Sequence, residues 1–223
     1  MSNKLEKERP VAASAVHDVA GAGVHDVVGR IDGTTLRSWE LWRNLAVCFC
    51  VFSVVGHWIE IPYCLFNDYF FGIVDPETLV YQDPMYPFLV YGIGACVCTL
   101  LFVPLKEWLV RRCATPFNAM TLFFGAAVFM CMVMELGMGL LLNQPDAFGE
   151  YPLWDNSQLP FNILGQAWLV NDILLGLVAS VYSWVVWPFL ASVFAKIPDR
   201  VMNIGSIVLV VAFTILCIVK FSA

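Results

Sequence analysis

Charge is scarce in this 223-residue sequence. Only 13% of its residues are Asp, Glu, Lys or Arg, about half the share that is typical of a soluble domain. Hydrophobic residues make up 60%, and the mean hydropathy is +0.75. The net charge is −6 and no basic stripe is present, which excludes a nucleic-acid-binding protein. This composition indicates a protein that crosses a membrane several times.

The motifs of common soluble enzymes are also missing. The chain has no Walker Gly-rich loop, no G-x-S-x-G and no H-E-x-x-H, so it has no visible means of hydrolysing ATP itself. None of its eight cysteines forms a C-x-x-C pair, which favours small packing residues over metal ligands or disulfides. We therefore predict no enzymatic activity, no metal and no resident cofactor.

Long apolar runs are abundant. A membrane helix needs ~20 mostly apolar residues, and five segments meet that length. They run from Leu45 to Phe66, from Tyr86 to Leu109, from Phe117 to Leu142, from about Leu164 to Phe194, and from Val201 to Phe221. These segments predict an all-α polytopic membrane helix bundle of about five transmembrane helices, in contact with the lipid bilayer, over residues 36–223.

The first 35 residues form a separate region. They are rich in Ala, Gly, Val and charged residues and too polar for a cleaved signal peptide, so they predict a flexible cytoplasmic tail over residues 1–35. Thr34 or Thr35 is placed to cap a short amphipathic helix, Leu36 to Asn44, that leads into the first span.

Basic residues alternate between the two ends of the predicted spans. Lys and Arg occur before span 1, after span 2 and after span 4, whereas loops 67–85 and 143–163 have none. Cytoplasmic loops carry an excess of Lys and Arg. We therefore predict a multi-pass protein of the bacterial inner membrane with a cytoplasmic N-terminus and an outer C-terminus.

Three acidic residues lie inside the predicted spans: Glu60, Glu135 and Asp172. From a rise of ~1.5 Å per residue, they lie roughly 9, 10 and 12 Å from the outer ends of their spans. Ionisable groups inside a membrane usually face a bundle interior or a water-filled cavity and mark a functional path. These three positions predict a shared polar layer.

Polar residues surround these acids. His57 lies three positions before Glu60 on the same helix face. The loop before span 4 contains Trp154, Asp155 and Asn162 among other polar, aromatic and proline residues, and it could fold over the layer as a lid. The simpler alternative is that each acid is protonated and serves only helix assembly. A metal site on His57 and Glu60 is the less favoured alternative, because a second such motif is missing.

The chain resembles the type IV ABC-transporter permease family of small bacterial membrane proteins. The resemblance rests on the Gly-His-Trp-Ile-Glu stretch that ends at Glu60, on the segment that begins at Pro87, on Glu135, and above all on Trp154-Asp155-Asn156-Ser157 followed by Pro160-Phe161-Asn162. It extends over roughly residues 52–190. His57 stands where the family usually has Trp, and Asp172 is not a recognised family feature.

This resemblance implies a permease-like membrane subunit that needs a separate nucleotide-binding ATPase, with the loop from Lys106 to Thr115 as the docking site. From the residues we expect an outward-facing polar site that binds substrate or a proton. The alternatives are a non-transport accessory, sensor or lipid-binding protein and, less favoured, an intramembrane enzyme. From size alone we also expect a homo-oligomer, since one copy is small for enclosing a path.

Overall fold

Five long apolar helices form the structure, as predicted. The computed structural model describes residues 38–72, 79–146, 149, 151 and 154–222. Span 1 is Trp39–Phe71, span 2 is Leu89–Arg112, span 3 is Pro116–Leu142, span 4 is Leu169–Lys196 and span 5 is Asp199–Phe221. A single short helix, Leu79–Gln82, precedes span 2. The all-α class and the five spans are confirmed.

Span 1 is longer at both ends than predicted. The side chain of Ser38 accepts a 3.2 Å hydrogen bond from the backbone N–H of Leu41 and caps the helix. Residues from Trp39 onward therefore belong to span 1 and form no separate amphipathic helix; Thr34 and Thr35 lie outside the described residues. Pro62 lies inside the helix without ending it, and the helix stops only at Gly72, whose φ is 62°. Its 33 residues extend about 50 Å.

Span 4 begins five residues later than predicted, at Leu169. The preceding residues form a two-stranded hairpin of β1, Asn162–Ile163, and β2, Ala167–Trp168. Its turn contains Gly165 at a φ of 68°, a conformation that suits glycine. As a result Asp172 lies in the first turn of span 4 instead of eight residues past its start.

Spans 2 and 4 are each interrupted by one π-helical turn. The first π turn is Cys98–Phe102 and the second is Tyr182–Val186. Each is followed by a proline, Pro104 or Pro188. Proline has no backbone N–H, so it leaves a carbonyl of the preceding turn without its usual donor, and such bulges relieve that strain.

The helices pack as two hairpins with one additional helix. Span 1 packs along span 2 and span 3 along span 4, while span 5 packs against span 1. Near the start of span 1, Arg43 holds span 5 through Asp199 at 3.2 Å and Asn203 at 2.7 Å. Near the end of span 5, Lys220 bonds Asp83 at 2.7 Å.

The two ends of the bundle differ in charge. We call the end formed by residues 72, 79–88, 143–146 and 154–168 the acidic end, and the end formed by residues 38, 113–115 and 197–198 the basic end. The ends take these names from the charged residues in and beside them. The polar layer described next lies toward the acidic end.

Candidate functional site

Glu135 is the centre of the polar layer. It lies in span 3 and is 8% exposed. Its Oε1 accepts a 2.7 Å hydrogen bond from Nδ2 of Asn171, and its Oε2 accepts one of 3.3 Å from the backbone N–H of Trp168. Trp168 precedes the first turn of span 4, where backbone N–H groups have no intrahelical acceptor. A carboxyl group of span 3 therefore caps the start of span 4.

Asp172 lies beside Glu135 and is completely buried. The two carboxyl groups lie close enough to interact electrostatically with each other. Among the described residues, no donor group meets either oxygen of Asp172. Two carboxylates have only acceptors, so a hydrogen bond between them requires a proton. We predicted from the sequence that Glu60, Glu135 and Asp172 share one layer; in the structure, Glu135 and Asp172 lie side by side.

Tyr63 extends the layer to span 1. Its hydroxyl donates a 2.7 Å hydrogen bond to Oδ1 of Asn171, whose amide nitrogen holds Glu135. Three spans are thus linked by one continuous chain of hydrogen bonds. The sequence analysis did not single out Tyr63 among the residues around the three acids. The available signal was its position three residues after Glu60, on the same helix face.

Glu60 lies at the edge of this layer. Its Oε1 accepts a hydrogen bond of 3.7 Å from the thiol of Cys64, one turn further along span 1. Tyr63 is close enough to interact electrostatically with both Glu60 and Glu135. Within the part of the chain that the structure describes, no hydrogen bond joins Glu60 to Glu135 or Asp172. Tyr63 therefore lies between Glu60 and the two acids Glu135 and Asp172, which we call the carboxyl pair.

His57 is turned away from the carboxyl pair. Its ring is fully buried, with Nδ1 2.8 Å from the carbonyl oxygen of Tyr86 and Nε2 3.0 Å from that of Val80. The ring also stacks on Phe88, with 4.4 Å between centroids. A neutral imidazole donates through only one nitrogen, whereas an imidazolium donates through both. His57 therefore fastens the chain segment before span 2 to span 1.

The loop before span 4 folds back on itself over the ends of spans 3 and 4. The indole N–H of Trp154 donates to the carbonyl of Gln166 at 2.8 Å. Asn143, at the end of span 3, donates to the carbonyl of Trp154 at 2.7 Å and to Oε1 of Gln166 at 3.0 Å. The indole N–H of Trp168 donates to the carbonyl of Pro160. The loop thus holds the same residue whose backbone N–H contacts Glu135.

Asp155 and Asn162 shape this loop from within. Oδ1 of Asp155 accepts a 2.8 Å bond from the backbone N–H of Ser157, and these bonds to Ser157 lower the pKa of the Asp155 carboxyl. Asn162 donates to the carbonyl of Leu159 at 2.7 Å and accepts from the backbone N–H of Gly165 at 3.0 Å. The structure therefore brings neither side chain to the carboxyl pair.

A small cavity opens beside the loop at the acidic end. Its volume is about 210 Å³ and it lies one helical turn from Glu135, on the loop side. The lining includes Gly139, Asn143, Tyr151 and Gln166. A larger groove of about 500 Å³ lies between spans 1, 2 and 5, but its lining is almost wholly apolar and it is remote from the carboxyl pair. Of these two cavities, the smaller one offers polar groups near the layer.

The layer contains carboxyl, amide and phenol groups, which are able to hold protons or polar ligands. Among the described residues, no cluster of three or more His, Cys, Asp or Glu side chains has the arrangement of a metal site. The layer joins buried carboxyl, amide and phenol groups from three helices. Together, five apolar helices and a buried polar layer define a multi-pass membrane protein.

The family follows from comparison with known proteins. The chain belongs to the family described as "Putative ABC-transporter type IV", whose model matches residues 47–221. The match includes span 5, beyond the region of resemblance seen in the sequence. Comparison with curated proteins finds no match, and comparison with solved structures finds none. The family match and the five spans together identify a multi-pass membrane protein associated with transport.

Proposed function

We propose that this protein is the membrane-embedded subunit of a transporter and that the Glu135–Asp172 pair is its binding site for a proton or for a polar group of the substrate. The observation that carries this proposal is the fully buried Asp172 beside a second carboxyl group. Acidic residues inside a membrane are costly and are found mostly on ion, proton or substrate paths. A purely structural acid would be expected to meet a hydrogen-bond donor, and Asp172 meets none among the described residues.

The loop before span 4 is the gate of this site in our proposal. It is anchored through Gln166 and Trp168, and Trp168 directly contacts Glu135. A change in the charge of the pair alters the strength of that contact, since a hydrogen bond to a charged acceptor is stronger than one to a neutral acceptor. The cavity beside Asn143 and Gln166 provides the approach from the acidic end.

An ATPase partner is the second part of the proposal, because the chain has no nucleotide-binding motif of its own. Lys106 does not belong to the docking surface expected from the sequence. It is buried in span 2, where it donates to the carbonyl of Ser183 at 3.2 Å and pairs with Glu107 at 2.9 Å. Within the stretch from Lys106 to Arg112, the exposed residues are Trp108, Val110, Arg111 and Arg112, and the link 113–115 follows them.

The orientation and the oligomer are also proposals. We place the basic end in the cytoplasm, since Lys and Arg are enriched on that side of membrane proteins. This orientation faces Arg111 and Arg112 toward a soluble ATPase and the carboxyl pair toward the outside. A homo-oligomer is expected because five spans are few for enclosing a path.

The proton site is tested by infrared difference spectroscopy of the purified protein in lipid, recorded between acidic and alkaline pH. Glu135→Gln and Asp172→Asn are each expected to remove the C=O band of a buried protonated carboxyl. Asp155→Asn is the matched control, because Asp155 is an exposed acid of the adjacent loop, and it should leave the band intact. A band that survives in both Glu135→Gln and Asp172→Asn would overturn the assignment.

The partner is tested by isolating the tagged protein in mild detergent and identifying what accompanies it by mass spectrometry. Stoichiometric recovery of a nucleotide-binding ATPase, lost on Arg111→Glu with Arg112→Glu, supports the proposal. Recovery of the protein alone, or with an unrelated membrane enzyme, favours the accessory class. Lys196→Glu provides a control for charge reversal elsewhere at the basic end.

A further inference from the structure

The two π turns occupy equivalent positions in spans 2 and 4. Cys98 and Tyr182, which begin them, are 84 positions apart (182 − 98), and so are Pro104 and Pro188, which follow them (188 − 104). π-helical turns are rare in proteins, and those that occur are often found at functional sites. Two such turns with the same spacing to a proline are a specific coincidence.

The same offset relates the closest helix contacts. A Cβ atom at Gly92 of span 2 would collide with the Ser53 hydroxyl of span 1, and one at Gly176 of span 4 would collide with Val128 of span 3. Gly92 and Gly176 are again 84 apart (176 − 92). Ser53 and Val128 are 75 apart (128 − 53). Each hairpin is thus closed by a glycine of its second helix at a corresponding height.

The acids and the apolar cores follow the same correspondence. Glu60 and Glu135 are 75 apart (135 − 60), the offset that relates span 1 to span 3. One core cluster includes Cys48, Phe52, Ala95 and Val186, and the other includes Phe123, Ala127, Ala179 and Phe102. Cys48 corresponds to Phe123 and Phe52 to Ala127, at the offset of 75 that relates span 1 to span 3. Ala95 corresponds to Ala179 and Phe102 to Val186, at the offset of 84 that relates span 2 to span 4. Superposing one hairpin on the other therefore places these residues of one core cluster at the positions of their counterparts in the other cluster.

We propose that spans 1–4 are two copies of one helical hairpin, related by a pseudo-two-fold axis along the membrane normal, and that the paired π turns are the hinge at which the hairpins move against each other. The π turns pack together across this axis, and Thr99 bonds Tyr182 there, with 2.7 Å between the hydroxyl oxygens. Rocking of one repeat against another is a common form of motion in transporters built from repeats. This inference goes beyond the proposed function and does not depend on what the carboxyl pair binds.

One departure from the symmetry lies beside the hinge. Pro188 has no N–H for the preceding turn, and the ammonium of Lys106 donates to the carbonyl of Ser183 in its place. The counterpart of Lys106 in span 4 is Leu190, which has no such donor. The ammonium of Lys106 therefore supplies a hydrogen-bond donor to the second π turn. Leu190, at the equivalent position of span 4, supplies no such donor to the first π turn.

The first test is hydrogen–deuterium exchange on the unmodified protein in lipid nanodiscs. Peptides that cover residues 98–104 and 182–188 are expected to exchange severalfold faster than the adjacent turns of spans 2 and 4, with the second segment the slower of the two. Lys106→Met should then raise the exchange of the second segment selectively. Equal protection of both segments and of their flanking turns would overturn the hinge.

The second test measures distances between spin labels in a variant whose native cysteines are replaced. Labels at Tyr69 of span 1 and Leu141 of span 3, both highly exposed, report the separation of the hairpins, and labels at Tyr69 and Val90 report one hairpin alone. We expect a broad distribution for the first pair and a narrow one for the second. Pro104→Ala and Pro188→Ala should each narrow the first distribution, and Pro116→Ala should not. A narrow distribution in the parent, or a response to only one of the two prolines, would contradict the proposal.

Discussion

Nδ2 of Asn171 donates a 2.7 Å hydrogen bond to Oε1 of Glu135, which joins the first turn of span 4 to the interior of span 3. This bond depends on where span 4 begins. Had the helix started at Leu164, as the apolar run suggested, the N–H of Trp168 would have bonded within the helix. Because the hairpin of β1 and β2 delays the helix, that N–H remains available to Glu135. The local turn chemistry of the loop therefore builds the site.

Removal of the Tyr63 hydroxyl tests the link between span 1 and the layer. Tyr63→Phe leaves Oδ1 of Asn171 without its observed donor, and we expect a loss of about 1 kcal/mol in unfolding free energy, typical of one hydrogen bond between membrane helices. The measurement is equilibrium unfolding in mixed detergent. Tyr69→Phe is the matched control, because Tyr69 lies on the same helix and is 81% exposed. Equal stability of both variants would show that the link contributes nothing.

Removal of the Lys106 ammonium should be more damaging. Lys106→Met deprives the Ser183 carbonyl of its donor and leaves Glu107 without its partner, so we expect destabilisation of about 1–3 kcal/mol, the usual penalty for a buried polar group left unpaired. The same unfolding assay measures it. Lys196→Met, at an exposed lysine in the last turn of span 4, should change stability little. A similar small effect in both variants would contradict the role given to Lys106.

The sequence predicts the fold of this protein better than it predicts the candidate site. Apolar length alone located all five spans, because the bilayer fixes the number of residues that a helix needs. It could not place the start of span 4, because Leu164, Ala167 and Trp168 extend the apolar run of the helix and hydropathy does not reveal a hairpin turn. It also could not show that His57 faces Val80 and Tyr86 and not Glu60, because helix spacing gives a face but not its neighbours. The π turns depend on both a proline and the facing helix, and no sequence period reveals them.

Acidification should release the end of span 5 that contacts Asp83. The hydrogen bond from Lys220 lowers the pKa of the Asp83 carboxyl below its ordinary value of 3.8. A lowered folded-state pKa means that the stabilisation is complete above pH 3.8 and is lost as the pH falls through the folded value. Hydrogen exchange of residues 215–222 should therefore accelerate below pH 3.8 but not between pH 5 and 7. Asp83→Asn should show the faster exchange already at pH 7, and an unchanged rate there would exclude this contribution.

The position of His57 leads to a prediction about the segment before span 2. Its two ring nitrogens face carbonyl oxygens of Val80 and Tyr86, and the neighbouring indole of Trp58 donates to the carbonyl of Pro84 at 2.8 Å. His57→Phe keeps an aromatic ring against Phe88 but removes both polar contacts, so residues 80–86 should become more accessible to protease and faster in hydrogen exchange. Trp58→Phe, which removes one contact at an exposed position, should have a smaller effect. Equal protection of residues 80–86 in the parent protein and in His57→Phe would show that His57 does not hold this segment against span 1.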